Sequence, residues 1–359
     1  MHNLHRSAIA GLAIAVLALC LPTMPATGAM RSPVTAKGWH LVQTISEGSS
    51  FVSLQDLVAL SPKDAWVVGS YGSSPRSHAL TARWNGRSWS KVRVADSQVK
   101  AIDVVAMSSR GDTWAFGYGA NGQYLLNWTG RTWSVQRATG ASNILVSAAI
   151  VFNRHDVWIF GSNLVPGYGS YAVHFNGHAW KAMPIPGISA EGFPVAAAAA
   201  TSPRSIWVAS NEYPATSRIL HWNGRWSVAA LPSRVAHMRY LEFAGLASAP
   251  SGSVWASGWQ NGPSDPGGFA PVLLQLHRST WRYLPVGPCY GCQTAFVAPD
   301  GGGGAWAQTN QSFVLHFRGD RWHKVRAPNM NDLTHIPGTT SMWGFSLAGQ
   351  IYAYGSAGT

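Results

Sequence analysis

Carboxyl groups are the first candidates for chemistry in this sequence, because hydrolysis of a glycosidic bond needs two of them facing each other. The chain has 14 acidic residues. Three of these, Asp64, Asp112 and Asp156, each stand two residues before a tryptophan, so we expect them to accept hydrogen bonds from the backbone of a tight turn. The others are scattered and form no local pair. The sequence therefore identifies no catalytic residue, although a site assembled from distant segments stays open.

Histidines are the second group of interest, since the sequence contains 13 of them. His174, His221 and His316 occupy equivalent places before a hairpin, which favours a packing or surface role. The sequence has no HExxH motif and no dense cluster of histidine and aspartate, which are arrangements typical of metal sites. It thus predicts neither a metal nor another cofactor.

Aromatic residues in polar loops are candidates for stacking against sugar rings. Trp259 lies in the longest such loop, residues 258–271, and tyrosines occur in other loops of the same kind. We predict a ligand-binding surface at Trp259, Tyr71, Tyr168, Tyr213 and Tyr290. Packing of each ring against its own loop is an equally good interpretation.

Basic residues follow a recurring hairpin glycine, at Arg87, Arg131 and Arg225. The chain carries a formal net charge of +12, and a surface of one sign attracts polymers of the opposite sign. We therefore predict that these arginines form a second binding surface, for an anionic polymer. The competing interpretation is that they are soluble turn residues, partly neutralised by neighbouring aspartates. Nucleic acid is a weaker candidate, because the sequence has no recognised binding module.

Two alternating tryptophan patterns show which elements would position these residues. The first surrounds a hairpin glycine, as in RWNGRSW (83–89) and HFRGDRW (316–322). In the second, a tryptophan stands two residues after Asp, Ser or Gly, as in DAWVVG (64–69). This pattern occurs seven times at intervals of 37 to 51 residues, within or near the range of propeller blades and solenoid units. Its tryptophans are Trp66, Trp114, Trp158, Trp207, Trp255, Trp306 and Trp343.

Each unit contains four short apolar runs between turn residues, as expected for a four-stranded sheet. A ring of such sheets is a β-propeller, so the sequence predicts an all-β, seven-bladed β-propeller. The strands of the second unit are predicted at 101–107, 113–118, 122–128 and 132–136. The last unit lacks its fourth strand, which we expect residues 38–45 to supply. This N-terminal strand would close the ring and leave no blade incomplete.

The repeat accounts for every tryptophan except Trp259. Large aromatic side chains prefer buried sheet faces, so we predict that the repeated tryptophans fill the space between neighbouring blades. The alanine-rich run at 194–201 is predicted as an innermost strand, where small side chains fit near the axis.

The first 29 residues have the composition of a secretory signal peptide, with an apolar run at 8–21 that is too short for a comfortable membrane span. We predict cleavage after residue 29, which leaves residues 30–359 as one propeller domain that is secreted or held at the cell surface. Cys20 raises the alternative of a retained lipid anchor, but leucine stands where a small residue is expected before it.

Cys289 and Cys292 are the only cysteines after the predicted signal peptide, and they form a CxxC arrangement. In an exported chain this spacing favours a small-loop disulfide over a redox or metal site. A structural zinc ion would need two further ligands, and the sequence has no second cysteine pair.

The alternation of SPKDAWVVG (61–69) with ARWNGRSWSKV (82–92) resembles that of secreted bacterial seven-bladed propellers with Trp-rich repeats, loosely related to the BNR/sialidase-like and tectonin-like groups. The resemblance covers the predicted mature chain and implies its architecture. Such groups include glycan-binding proteins and glycosidases, and a fold alone does not choose between them. The sialidase motif SxDxGxxW has no clear match, so no catalytic residue is transferred.

These observations favour an exported, non-catalytic propeller that binds a carbohydrate or an anionic cell-envelope polymer. A glycan-processing enzyme, either a hydrolase or a lyase, is the alternative. A protein-interaction scaffold, which implies a protein partner, is a third hypothesis.

Overall fold

The computed structural model describes residues 38–163, 170–186, 195–211, 217–261, 268–287, 289 and 291–355. Within these ranges the chain forms seven four-stranded antiparallel sheets, and each sheet contacts the next in a closed ring. This is the seven-bladed β-propeller that the sequence predicts. The predicted signal peptide, residues 1–29, lies outside the described residues.

The first strand, β1 (Trp39–Thr44), belongs to the last blade, and the next twelve form blades 1 to 3. Blade 1 contains β2 (Val52–Ser61), β3 (Asp64–Tyr71), β4 (His78–Trp84) and β5 (Trp89–Lys91). Blade 2 contains β6 (Val99–Met107), β7 (Thr113–Gly119), β8 (Gly122–Trp128) and β9 (Trp133–Arg137). Blade 3 contains β10 (Ile144–Asn153), β11 (Asp156–Asn163), β12 (Ser170–Phe175) and β13 (Trp180–Pro184). In blade 2 the strand ends differ from the predicted ones by at most two residues.

Blades 4 to 6 repeat the same arrangement. Blade 4 contains β14 (Val195–Ser202), β15 (Ser205–Ser210), β16 (Arg218–Trp222) and β17 (Trp226–Val228). Blade 5 contains β18 (Leu241–Ser248), β19 (Val254–Asn261), β20 (Phe269–His277) and β21 (Thr280–Tyr283). Blade 6 contains β22 (Thr294–Pro299), β23 (Ala305–Thr309), β24 (Phe313–Arg318) and β25 (Arg321–Arg326). The alanine-rich run is the innermost strand β14, as predicted.

Blade 7 joins the two ends of the chain. Its first three strands are β26 (Asp332–His335), β27 (Met342–Phe345) and β28 (Gln350–Tyr354), and its outer strand is β1. Strands β1 and β28 pair antiparallel, from Trp39 opposite Tyr354 to Thr44 opposite Gln350. The prediction that residues 38–45 complete the last blade is confirmed. The ring therefore closes through backbone hydrogen bonds, which leave no blade with a missing outer strand.

Helical structure in the described part of the chain consists of a 3-10 turn, Gly140–Ser142, and one short helix, α1 (Ser233–Ala236). None of the described helices has the length and apolar character needed to cross a membrane.

Clusters of tryptophan join neighbouring blades. Trp66 in β3 packs edge-on against Trp128 and Trp133 of blade 2, with ring centroids 4.9 Å apart in both pairs. Trp343 of blade 7 packs in the same way against Trp84 and Trp89 of blade 1. The other five junctions contain the pairs Trp114–Trp180, Trp158–Trp222, Trp207–Trp281, Trp255–Trp322 and Trp306–Trp39. The predicted packing role of the repeated tryptophans is confirmed.

Histidines of the third strands cover several of these tryptophans. His316 stacks on Trp306 with ring centroids 3.8 Å apart, and its Nε2 lies 2.9 Å from a carboxylate oxygen of Asp300. Two other blades repeat the stacking, in the pairs Trp158–His174 and Trp207–His221. Of the packing or surface role predicted for these histidines, the structure shows packing.

The three aspartates before the second-strand tryptophans make bonds that differ from the predicted ones. Asp64 accepts two hydrogen bonds of 2.9 Å from Arg83 of the third strand. Asp156 lies 2.8 Å from a histidine Nε2 of the third strand in its own blade, and Asp112 accepts a hydrogen bond from the Ser108 hydroxyl. The expectation of bonds to the turn backbone is wrong, because neighbouring side chains supply donors to these carboxylates instead.

Candidate functional site

The first strand of each blade lines a central channel. In six blades a bulge in the first strand interrupts its pairing with the second strand. The bulge lies at about the same distance along the second strand from its tryptophan in each of these blades. Consecutive side chains of an unbroken strand point to opposite faces of the sheet. At a bulge, one strand carries an extra residue, which changes the face of the sheet to which the neighbouring side chains point. Gln55 and Asp56, which are consecutive in β2, therefore both line the channel.

Three carboxylates from adjacent blades line this channel, which contains a cavity of about 530 Å³. Asp56 of blade 1 and Asp332 of blade 7 occupy the same register position, opposite the residue two places after the tryptophan. Asp103 is the bulge residue of blade 2. The sequence does not reveal this cluster through local pairs, because its members lie in different repeats, although alignment of the repeats would place two of the aspartates at one position. We call these three residues the channel carboxylates.

Backbone amides hold two of the channel carboxylates. Asp56 accepts hydrogen bonds from the N–H groups of Leu57 and of Val105 in the adjacent blade, each at 2.8 Å. The Oδ1 atom of Asp332 accepts one hydrogen bond, from the backbone N–H of Leu333, at 2.6 Å. Within the described ranges, neither the carboxylate of Asp103 nor Oδ2 of Asp332 has a hydrogen-bond partner. Among the channel carboxylates, Asp103 is therefore the one without a donor in the described ranges.

Burial raises the pKa of all three carboxyl groups. The pKa of Asp103 rises to about 6. The pKa of Asp56 also rises to about 6, because burial and the charge of Asp103 outweigh its two backbone hydrogen bonds. Asp332 is only 8% exposed, and burial and the charge of Asp56 raise its pKa well above the usual value. The described residues that line the cavity include no lysine or arginine, so no basic side chain compensates this charge.

Exposed apolar side chains concentrate at one end of the ring, which we call the top end. This end holds the connections between the second and third strands and those between successive blades. Five of the eight large hydrophobic residues that are exposed in the described chain lie there, each in a different blade, and a sixth, Phe296 of another blade, lies at the bulge of β22 and lines the channel. We call them the apolar rim: Phe51, Tyr118, Leu145, Tyr240, Phe296 and Leu347. A single exposed hydrophobic residue is normal, so the feature of interest is the shared position of these residues at one end of the ring.

The apolar rim adjoins the channel carboxylates. Phe296 lines the same cavity as the three aspartates. Burial and the charge of Asp103 together raise the pKa of the Tyr118 hydroxyl, which places that carboxylate near the rim. The top end thus combines an apolar border with a negatively charged recess.

The structure does not bring the predicted stacking residues together. Trp259 and Tyr71 are both half-buried at the top end, but they lie in blades 5 and 1, which are separated by two other blades. Tyr71 stacks on His78 with ring centroids 5.2 Å apart, and both line a separate cavity of about 440 Å³ together with Lys91. Tyr168, Tyr213 and Tyr290 lie outside the described residues.

The predicted basic residues lie at the opposite end, which we call the bottom end. Arg87, Arg131 and Arg225 are exposed in the turns between the third and fourth strands of blades 1, 2 and 4. Asp64 and Asp156, which were expected to neutralise such turns, pair with third-strand side chains instead. Among the described residues, none of the three arginines forms a salt bridge.

Cys289 and Cys292 lie at disulfide distance, with Cα atoms 5.5 Å apart, in agreement with the predicted pair. No group of three or more His, Cys, Asp or Glu side chains in the described part of the chain has an arrangement that could hold a metal ion. This holds for the channel carboxylates as well.

Comparison with known proteins identifies solved structures of similar fold. No family model and no curated protein matches the sequence. YCF48 bound to D1 peptide aligns with a TM-score of 0.61 at 14% identity, over 90% of this chain and 97% of that chain. Virginiamycin B lyase from Staphylococcus aureus, with quinupristin, aligns with a TM-score of 0.61 at 9% identity, over 88% of this chain and 98% of that chain. U3-55K aligns with a TM-score of 0.58 at 10% identity, over 89% of this chain and 99% of that chain.

At these identities the likeness shows the fold alone. The resemblance to the sialidase-like and tectonin-like groups is supported only as far as the propeller architecture. The similar structures include a protein bound to a peptide and a lyase, so the fold does not choose between binding and catalysis.

Proposed function

We propose that this chain is an exported, non-catalytic propeller that binds a segment of another protein at its top end. The observation that carries this proposal is the apolar rim, to which six blades each contribute one exposed hydrophobic side chain. Burial of such side chains against a partner removes apolar surface from water, which is the main favourable term in protein association.

The chemistry of the rim favours a protein segment over a sugar. Sugar platforms combine aromatic faces with hydrogen-bonding groups, whereas Leu145, Phe296 and Leu347 offer only apolar surface. The core of a protein interface has this apolar character, surrounded by a polar border. YCF48, one of the structures of similar fold, has been solved with a bound peptide, which supports a peptide as a ligand that suits this architecture.

Export rests on two observations. Residues 1–29 have the composition of a signal peptide, and cleavage after them would leave residues 30–359 as the mature propeller. Cys289 and Cys292 lie at disulfide distance, and disulfides persist mainly in oxidising compartments outside the cytoplasm.

Binding of an anionic cell-envelope polymer at the bottom end is the second candidate function. Its support is the exposure of Arg87, Arg131 and Arg225, which gives the bottom end positive charge. A neutral carbohydrate would find its best support in the cavity beside Tyr71 and His78. A glycan hydrolase or lyase would have to use the channel carboxylates, whose raised pKa values suit an acid catalyst.

The test is selection of random-sequence peptides, displayed on phage, against the immobilised mature protein. We expect the protein to enrich peptides with two or more apolar residues. These peptides should bind a Phe51→Ser/Tyr118→Ser variant at least about tenfold more weakly, because the variant removes two rim contacts.

The matched control is an Arg87→Ser/Arg131→Ser variant, which changes two exposed residues at the bottom end. It should bind the selected peptides as tightly as the native protein. Failure to enrich any peptide, or equal binding by the rim variant, would show that the top end is not a protein-binding surface.

A further inference from the structure

We infer that the partner segment binds in part as an added β-strand, which pairs with the open outer edge of β4 at Ala79 in blade 1. The inference rests on the proposed function, because it specifies the conformation of a protein segment bound at the same end of the propeller. Three features of the fold support it: an early end to the pairing of β4 with β5, a cavity beside the unpaired edge, and closure of the equivalent edge in other blades.

The fourth strand of blade 1 separates from the third strand before the third strand ends. Toward the top end, their last backbone hydrogen bond runs from the Val92 N–H to the carbonyl oxygen of Thr81, at 2.8 Å, whereas β4 begins at His78. The Thr81 hydroxyl donates to the Val92 carbonyl oxygen at 2.6 Å and accepts a hydrogen bond from Trp133 Nε1 of blade 2 at 3.1 Å. In the other six blades the residue equivalent to Thr81 is apolar: Leu125, Ala172, Ile219, Leu273, Val314 and Ile351. Blade 1 thus departs from the repeat at the point where its outer strand turns away.

Ala79 presents its backbone N–H and carbonyl groups at the open edge. In an antiparallel sheet, the backbone groups of alternate residues point toward the same neighbouring strand. The carbonyl group of Thr81 points toward the outer segment, so both backbone groups of Ala79, two residues earlier, point that way too. Within the described ranges, neither group has a hydrogen-bond partner. An unpaired strand edge of this kind is a template for a strand of another chain.

The cavity of about 440 Å³ lies between this edge and residues 92–97, and Ala79 is part of its wall. The lining contains two acidic side chains, Glu47 and Asp96, and two basic ones, Lys91 and Arg93. Lys91 and Glu47 pair with each other at 2.7 Å. Because the opposite charges are equal in number, the cavity gives an anionic polymer no advantage over an uncharged chain. An extended peptide carries backbone donors and acceptors at the spacing of a β-strand, which matches the open edge.

Other blades close the position that is open in blade 1. In blades 2, 6 and 7 the carbonyl oxygen at the equivalent position accepts a hydrogen bond from the residue that follows the fourth strand. The pairs are Gln123 with Ala138, Ser312 with Ala327, and Gly349 with Ile45. In blade 5 the equivalent residue is Pro271, which has no N–H to offer. Pairing and proline are both ways in which proteins protect a strand edge, and Ala79 has neither.

The open edge lies close to the apolar rim. Tyr71 of β3 pairs with Val52 of β2, next to Phe51 of the rim, and on its other side it pairs with His78 of β4. Strands β2 and β4 are two strand spacings apart, which is about 10 Å. One extended segment that crosses the top of blade 1 can therefore contact Phe51 and also pair with Ala79.

The direct test is a backbone N-methyl scan of the peptides selected by phage display against the mature protein. We expect N-methylation to weaken binding by about tenfold at alternate positions of a short stretch, because an added strand directs every second N–H toward its neighbour. Saturation with the unmodified peptide should also slow hydrogen–deuterium exchange of the Ala79 amide by at least about tenfold, as measured by NMR. A scan without alternation, or an Ala79 amide that exchanges at the same rate with and without peptide, would overturn the inference.

An Ala79→Pro variant copies the residue that blade 5 carries at the equivalent position, so it should melt close to the native temperature. It removes the N–H that the added strand would use and should bind the selected peptides about tenfold more weakly. The matched control is Ala120→Pro, the same change in an exposed turn at the top of blade 2, which should bind as the native protein does. Native affinity in Ala79→Pro, or an equal loss in Ala120→Pro, would count against strand pairing.

A second selection, against the rim variant Phe51→Ser/Tyr118→Ser, separates the inference from the proposed function. Peptides that need the rim but tolerate both N-methylation and Ala79→Pro would overturn the inference alone. Peptides that bind the rim variant as tightly as the native protein, and lose affinity for Ala79→Pro, would overturn the role of the rim and leave the strand pairing intact. Selections that yield no peptide would overturn both.

Two other occupants of the edge would give different results. Protection of the Ala79 amide by chitohexaose, and not by the selected peptides, would assign the cavity to a sugar. A dimer of the native protein in analytical ultracentrifugation that Ala79→Pro dissociates would assign the edge to a second copy of this chain. Either result would overturn the inference.

Discussion

The junctions between blades and the central channel follow different rules, although the same seven sheets of the described chain build both. At every junction a second-strand tryptophan meets an aromatic residue of the next blade, so the repeat is kept seven times. In the channel the equivalent positions differ, with aspartate in blades 1 and 7 but Val104 in blade 2. Uniform positions maintain the ring, and the positions that depart from the repeat give it a chemically distinct interior.

The hydrogen-bonding of acidic residues shows the same contrast. Near the junctions, burial would raise the pKa of Asp300, but its hydrogen bond with His316 Nε2, at 2.9 Å, and those from the backbone N–H groups of Gly302 and Gly304 hold that pKa below the usual value. In the channel, Asp103 has no partner among the described residues and its pKa rises. The carboxylate of Asp300 is thus satisfied by donors within the chain, whereas the burial of Asp103 is not offset by any donor among the described residues.

Deletion of residues 38–45 should have the largest effect, because it removes the outer strand of blade 7. The deletion would leave β28 as an unpaired edge and would expose Trp306, which packs against Trp39. We expect aggregation, or a melting temperature lowered by well over 10 °C, since several kcal/mol of packing are lost. Differential scanning calorimetry gives the answer, and an unchanged melting temperature would contradict closure of the ring by β1.

Replacement of a junction tryptophan should come next. Trp343 is fully buried against Trp84 and Trp89, so Trp343→Ala should lower the free energy of unfolding by about 3–5 kcal/mol. Trp259, the tryptophan outside the repeat, is half-buried, and Trp259→Ala should cost only about 1–2 kcal/mol. Urea denaturation measures both values. Equal losses of unfolding free energy in the two variants would show that a tryptophan's place in the repeat does not determine how much it stabilises the fold.

The fold was predictable because its evidence is repeated. Seven copies of the Trp pattern gave the number of blades, and the missing fourth strand of the last unit pointed to residues 38–45. A wrong strand boundary in one unit would not change the predicted number of blades. The bonds of Asp64 and Asp156 were not predicted correctly, since their partners depend on the height of the third strand relative to the turn.

The candidate site was not predictable in the same way. Asp56, Asp103 and Asp332 are far apart in the sequence, and bulges and ring closure bring them to one cavity. A bulge depends on backbone pairing, which hydrophobic periodicity does not reveal. The apolar rim was missed for a related reason: an isolated Phe or Leu at a strand end carries no signal until five blades place such residues at one end.

The channel should make the protein more stable in mild acid than at neutral pH. The pKa of Asp103 in the folded protein is about 6, above its usual value of 3.8. Its contribution to the free energy of unfolding is therefore fully present below about pH 4 and is lost as pH rises through 6. Asp103→Asn should remove part of this dependence and stabilise the protein at pH 8 by on the order of 1–2 kcal/mol. Melting temperatures between pH 4 and pH 8 provide the measurement. A variant as sensitive to this pH range as the native protein would contradict the burial of an uncompensated charge.

The pair between Asp300 and His316 should show the opposite sign. Because the folded pKa of Asp300 is lowered, its contribution is present above its usual pKa and is lost as pH falls through the folded value. Asp300→Asn should therefore destabilise the protein at pH 6 by on the order of 1 kcal/mol and have less effect at pH 3. Asp320→Asn, an exposed change in the same blade, is the control. Equal effects of Asp300→Asn at the two pH values would remove the contrast between scaffold and channel carboxylates.

The bottom end should show the smallest effect on stability. Arg87, Arg131 and Arg225 are exposed, so their triple replacement by serine should change the free energy of unfolding by less than about 0.5 kcal/mol. If this end binds anionic polymers, the same variant should bind dextran sulfate more weakly and with a flatter dependence on salt, because exposed charges are screened over about 8–10 Å at ordinary ionic strength. The rim variant Phe51→Ser/Tyr118→Ser keeps all these charges and should bind dextran sulfate as the native protein does. Weakening by the rim variant, with native binding by the triple arginine variant, would instead show that the polymer does not bind at the bottom end, and the arginines would then be ordinary turn residues.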